Sequence, residues 1–173
     1  MKDTASSLLF IPDISGFTAF VQHTAITHSQ YIIAELLEVI AKANELGLEL
    51  AEIEGDALLF YKHLDLPPLE ALWQQARNMF LAFHTHLQHY EARRICDCDA
   101  CSTAVNLSLK IIAHAGVIGF VEALGRQKPH GEDVIIVHRL LKNAIQHRAY
   151  LLLSEALVHT APAHLDRLQD QNV

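Results

Sequence analysis

The sequence predicts an α+β domain: a mixed or antiparallel sheet with helices mainly on one face. Three features predict it. A short apolar run near the amino end reads as a buried strand. Two further apolar runs are joined by Glu54-Gly55-Asp56, a Gly-containing turn that signals a hairpin. Long stretches with helical spacing of apolar residues separate these strand-like runs, as crossover helices do.

Taken in order, Leu8 to Ile11 is a continuous apolar run that stops at Pro12-Asp13, the pattern of a buried strand. Ser15-Gly16 punctuates, and Phe17 to Val21 starts a helix. Ser29 is the expected N-cap of a second helix, with Ile32, Ile33, Leu36, Leu37 and Ile40 on one face and Gly47 as its stop. Leu48 to Ile53 and Ala57 to Tyr61 form the hairpin. Pro67-Pro68 opens a long helix whose apolar residues run from Leu69 to Tyr90. A break at residues 93–103 follows. Asn106 to Ala115 alternates as a strand, and Gly116 to Phe120 continues it or pairs with it. Residues 124–131 read as a loop, Val134 to Ile145 as a helix and Ala149 to Leu153 as a last strand, with Ser154 capping a short helix. The expected order is strand, helix, helix, strand, strand, helix, strand, helix, strand.

At 173 residues the chain suits one domain, 1–173, large enough to bury a core without staples. Apolar residues make up 51%, which argues against disorder. A formal net charge of -7 argues against nucleic-acid binding through phosphate contacts. No apolar run approaches the roughly 20 residues of a membrane span, and the first residues lack a secretory h-region, so a cytoplasmic location is expected. The 12 histidines sit mostly singly and read as surface or edge residues. The cysteines do not scatter: Cys96, Cys98 and Cys101 supply three soft ligands, and reduced cytosolic thiols so placed point to structural zinc before a disulfide. The fourth ligand would come from His86, His89, His114 or Asp97. Thiols that merely line a loop, and a redox switch, are the alternatives.

Two carboxylates carry the functional reading. Asp13 stands where a strand stops before a helix, and Asp56 stands at a hairpin turn. If the hairpin lies beside the first strand, both meet at one end of the sheet. There they can hold Mg²⁺ or Mn²⁺ and leave coordination places for phosphate oxygens. The backbone amides of Ile14, Ser15, Gly16, Phe17 and Thr18 open a helix and are expected to face phosphate.

The residues around the two aspartates resemble known motifs. Residues 10–18, Phe-Ile-Pro-Asp-Ile-Ser-Gly-Phe-Thr, resemble the first-strand motif of the class III adenylyl and guanylyl cyclases. Residues 52–57, Glu-Ile-Glu-Gly-Asp-Ala, resemble the hairpin motif of that family. His114-Ala115-Gly116 resembles its His-x-Gly strand, and Gly131 through Arg139 its helix motif. The stretch from Val137 to Asn143, with the cysteine cluster, also resembles a group of uncharacterised bacterial cyclase-like proteins.

The resemblance implies a ferredoxin-like, cyclase-like sheet and a homodimer with sites built across its interface. It implies conversion of a nucleoside triphosphate to a cyclic nucleotide and pyrophosphate with two metal ions. Carried over, Asp13 and Asp56 become metal ligands, Arg139 a catalytic charge stabiliser and Glu52 a base reader with a mild guanine preference. The pattern departs where the family has a ribose-orienting asparagine, because this chain has Ile135. The second base-reading position falls near Lys128, and no lysine follows Leu153 to replace the family's triphosphate-gripping one. Each lost charge contact raises a barrier by about 2.7–4 kcal/mol. The expected function is therefore a cyclase-fold domain that binds divalent metal and a nucleoside triphosphate, with weak or no turnover and a regulatory or sensing role. An active cyclase using Lys128, Lys142 or Lys110 in substitution, and a pure dimerisation module, are the alternatives.

Overall fold

A computed structural model describes residues 3–93 and 102–160. Strand β1 (Ala5–Ser15) leads through the six-residue helix α1 (Phe17–Gln22) into α2 (Ile26–Lys42). The hairpin β2 (Glu49–Glu54) and β3 (Ala57–His63) follows, then the 25-residue helix α3 (Leu69–Arg93). A short 3₁₀ turn at Ala104–Asn106 enters β4 (Ser108–Ala123), which turns back as β5 (Arg126–His130). Helix α4 (Glu132–Leu141), strand β6 (Tyr150–Leu153) and helix α5 (Glu155–Thr160) complete the described chain. The sheet runs β2-β3-β1-β4-β5, with β6 also beside β4; all pairings are antiparallel except β4–β6. It is the mixed α+β architecture expected from the sequence.

Strand β1 lies at the centre, and its sequence says why. Leu8, Leu9, Phe10 and Ile11 are all fully buried, because successive side chains enter opposite faces and both faces are covered. Leu8, Phe10 and Ile14 face one side with Leu58, Phe60, Leu109 and Ile111, under α1, α2, α3 and α5. Leu9 and Ile11 face the other side with Leu59, Tyr61, Ile112 and Ile118, partly covered by Val137 of α4. Each large side chain so buried contributes about 1.5–3 kcal/mol. Four helices on one face and one on the other match the expected layering.

Several local expectations need correction. Helix α2 starts at Ile26, and Ser29 is buried inside its first turn with its hydroxyl on the Ile26 carbonyl (3.2 Å), so it caps nothing. The helix ends at Lys42, ahead of Gly47. The intervening turn is held by buried Gln75, which accepts from the Glu45 and Leu46 amides and donates to the Ala43 carbonyl. Gly47 adopts φ 63 in the entry to β2. Gly116 to Phe120 belongs to β4 itself, and residues 124–131 contain β5 after a tight turn at Leu124 and Gly125, both at positive φ. A five-residue polar strand, Arg-Gln-Lys-Pro-His, carries no apolar alternation to find. Helix α4 stops at Leu141, short of the expected Ile145. Ser154 does cap α5, accepting from the Leu157 amide at 3.2 Å. The cysteine cluster Cys96, Cys98 and Cys101, with Asp97, lies outside the described residues. No helix among the described residues is long and apolar enough to cross a membrane.

The His-x-Gly stretch locks α4 onto β4. His114 is buried, with Nε2 2.9 Å from Asp133 Oδ1 and Nδ1 2.8 Å from Ser154 Oγ. The second Asp133 oxygen accepts from the Val117 amide at 2.6 Å. Asp133 comes so close that a Cβ at Gly116 would sit 2.1 Å from its Cγ. Only glycine allows the approach. Gly116→Ala is therefore expected to lower stability by about 2 kcal/mol or more in urea unfolding. In an Asp133→Gly background the same change should have little further effect, because every Asp133 atom it strikes, Cβ included, is gone.

Candidate functional site

Register decides which side chains meet. Across the sheet, Glu54 pairs with Ala57, Ala57 with Asp13, Asp13 with Lys110 and Lys110 with Tyr150. Directly paired residues share a face. This row therefore lies on the α4 face, opposite the main helical layer. Pairing of β1 with the β2–β3 hairpin brings Asp56 to the end of the row, where the Ile14 amide donates to the Asp56 carbonyl at 3.1 Å.

Asp13 and Asp56 meet. Their carboxyl groups are in hydrogen-bonding contact, and Lys110 Nζ lies 2.7 Å from Asp13 Oδ2. Asp13 is only 6% exposed. Burial, and next the negative charge of Asp13, push the Asp56 carboxyl up to about 6. Below about pH 6 the Asp56 carboxyl holds a proton that it can donate to Asp13, which also accepts from Lys110. The arrangement concentrates hard oxygen donors and surplus negative charge at the sheet rim.

That donor set fits Mg²⁺ or Mn²⁺. Magnesium is commonly held by one or two carboxylates, with water and phosphate oxygens supplying the rest. Among the described residues, no group of three or more His, Cys, Asp or Glu side chains is assembled to hold a metal ion by protein ligands alone.

The other expected site residues are distributed around this row. Glu52 pairs with Leu59 on the same face, one pleat along from Glu54, and its carboxylate takes Lys128 Nζ of β5 at 2.8 Å. A β-bulge between Leu50 and Glu52 sets that register. Arg139 lies exposed in the last turn of α4. Of the amides expected to face phosphate, that of Ile14 is already used by Asp56, and Ile14's side chain is buried in the helical-side core. Ser15 still belongs to β1, where it pairs with Ser108. Gly16 sits at φ 91 as the entry to α1, followed by Phe17 and Thr18 in the first turn. Of the zinc candidates, His114 is committed to Asp133 and Ser154, and His86 Nε2 lies 3.7 Å from Glu35.

Two residues escaped the sequence reading. Lys110 appeared only as a substitute lysine, although its cross-strand pairing places it on Asp13. His138 was read only as part of a resemblance. Its Nδ1 lies 2.6 Å from the Val134 carbonyl and its Nε2 2.9 Å from both Glu54 oxygens. Both ring nitrogens face acceptors, so the doubly protonated ring satisfies both. Burial opposes that charge, but the Val134 carbonyl and Glu54 outweigh it and raise the pKa above its ordinary 6.5. His138 thus straps α4 to the hairpin that carries Asp56.

A family described as "protein of unknown function (DUF2652)" matches residues 33–150 of this chain. The chain belongs to that family. The matched span includes Asp56, Lys110, Asp133 and Arg139 and begins after Asp13. An uncharacterised Mycobacterium tuberculosis protein is 32% identical over 133 residues, covering 72% of this chain and 58% of that protein. The chain thus spans less than two thirds of that relative.

Among solved structures, a bacterial light-regulated adenylyl cyclase superposes with TM-score 0.62 at 12% identity, over 94% of this chain and 82% of that one. The guanylate cyclase domain of RhGC from Catenaria anguillulae, in complex with GTP, gives 0.62 at 20% over 91% and 83%. The adenylyl cyclase CyaB from P. aeruginosa gives 0.61 at 18% over 91% and 82%. This DUF2652 domain therefore has the class III nucleotidyl cyclase fold.

Two pH dependences follow. Because folding raises the Asp56 pKa, the protonated carboxyl stabilises the fold fully below about 4, and that stability is lost as pH rises through about 6. Asp56→Asn, which cannot ionise, should raise the melting temperature at pH 8 in chelator and give no gain near pH 4. His138 also has a raised pKa, so its strap is fully present below about 6.5 and is lost as pH climbs past the folded-state value. His138→Gln should flatten the part of the melting-temperature decline between about pH 6 and 8 that Asp56→Asn leaves intact.

Proposed function

We propose that this domain binds a divalent cation and a nucleoside triphosphate on the α4 face of its sheet and turns the nucleotide over weakly or not at all. The meeting of Asp13 and Asp56 beside Lys110 carries the reading. Asp13 and Asp56 would hold Mg²⁺ or Mn²⁺, which when bound neutralises phosphate charge and activates a ribose hydroxyl.

The chain's own residues set the rest. Lys110 pairs with Asp13 and gives phosphate oxygens a fixed positive neighbour. The amides of Gly16, Phe17 and Thr18 open α1 after the end of β1. Glu52 and Lys128 form a joined acceptor and donor. A guanine edge, with its N–H donors and carbonyl acceptor, complements both, which supports a mild guanine preference. Arg139, exposed on α4, is the charge stabiliser in this reading.

Ile135 supports weak turnover. It stands 55% exposed on the same helix and offers no hydrogen bond to a ribose. Binding outlasts that loss, because the carboxylates alone retain the metal. The domain then acts as a nucleotide-responsive module. Exposed Val117, Val121 and Leu124 on the β4–β5 hairpin, with Ile135, favour a homodimer. A working cyclase is the second reading, favoured by one observation: Lys110 already stands where a phosphate-gripping lysine is useful.

Titration calorimetry with MnCl₂ should show saturable heat for the intact protein, lost or weakened at least tenfold in Asp56→Ala and Asp13→Asn. Absence of heat with the intact protein overturns the reading. Incubation with GTP or ATP and Mn²⁺, then chromatography for cyclic nucleotide, separates the two readings. Product that disappears in Asp56→Ala establishes the cyclase.

A further inference from the structure

On the opposite face of the sheet from the aspartate pair, α3 and the β4–β6 edge flank a half-open cavity of about 190 Å³. Leu109 and Ile111 of β4 and Leu151 of β6 line one side, and Trp73 and Phe80 of α3 line the other. These are apolar surfaces that strand alternation sends away from the Lys110 row. Strand β6 pairs only with β4 among the described residues, so this flank of the sheet is an edge.

One charged side chain lines the cavity. Arg77 follows Trp73 by one helical turn on α3 and is exposed. It makes no ion pair or hydrogen bond with the described residues, whereas Lys42, Lys62, Lys110 and Lys128 all have carboxylate partners. An apolar hollow with one guanidinium complements a molecule with an apolar body and one anionic, planar head. Arginine engages a carboxylate through two parallel N–H donors.

Size narrows the class. A cavity of about 150 Å³ accepts benzene, so this hollow accommodates a chain of about six to eight carbons.

We infer that this cavity binds a medium-chain monocarboxylate, its tail against Trp73, Phe80 and Ile111 and its carboxylate on Arg77. The site is independent of the metal and nucleotide reading and shares with the aspartate row only Tyr150, which lines the hollow. It meets that region at Tyr150, the row partner of Lys110, and along the backbone, where Ile111 follows Lys110.

Trp73 is the only tryptophan in the chain, so its fluorescence reports the cavity. Octanoate titrated into the intact protein should change that emission saturably, with Kd on the order of 1 mM or below, as befits about ten non-hydrogen atoms. Arg77→Gln should leave the unliganded melting temperature unchanged and weaken octanoate binding about three- to tenfold. Octanol should bind the intact protein several-fold more weakly than octanoate, and octylammonium should not bind. No saturable change with octanoate overturns the proposal. Equal octanoate affinity in Arg77→Gln, or equal affinity for octanoate and octylammonium, overturns it as well. Manganese titration of the same sample is a separate readout, so failure here leaves the aspartate site untouched.

Discussion

The period-two alternation of β1 governs this molecule. The strand is buried on both faces between β3 and β4, so its register is fixed by apolar side chains that have nowhere else to go. That register alone sends Asp13 to the face with few helices and seats it opposite Lys110. A slip of one residue would drive the carboxylate into the layer occupied by Phe10 and Ile14. The functional face therefore follows from how four consecutive apolar residues are shared between two cores.

The polar end of the same strand stands in tension with the rest. Two carboxylates in contact at a half-buried rim repel one another, and the fold relieves this with a lysine on one side and, below about pH 6, a proton on the other. Such a cluster disfavours folding more than apolar residues would, which is how sites differ from scaffold. The neighbouring pairs, Glu52 with Lys128 and Glu54 with His138, show the same balance along β2. Each ties the hairpin edge to β5 or α4, so the α4 face is closed by charge where the other face is closed by packing.

Most of the scaffold was legible in the sequence because strong periodic signals coincide with burial. The Leu8–Ile11 run, the α2 stripe and the long α3 stripe each mark a surface pressed against the sheet. Both aspartates were legible from turn chemistry and motif. What could not be read depends on pairing. Lys110 sits in an ordinary alternating strand, and nothing local says that its partner is Asp13. Strand β5 has no apolar alternation, since it hangs from β4 at the edge and buries only Pro129. Ser29 looks like a cap because it is a serine near a helix start, but the true start lies three residues earlier at Ile26. The apolar cavity is equally invisible, since Trp73 and Leu151 meet only through the parallel β4–β6 pairing.

The length of β4 has a further consequence. Over residues 110–113 it has neighbours on both sides, β1 and β6, and further along it pairs with β5 and holds Asp133 through the Val117 amide. Its middle amides can meet solvent only when the whole sheet comes apart, so they should exchange hydrogen more slowly than any helix end. The strand is thus the keel of the domain: a ligand that flexes it on one flank strains the opposite flank too.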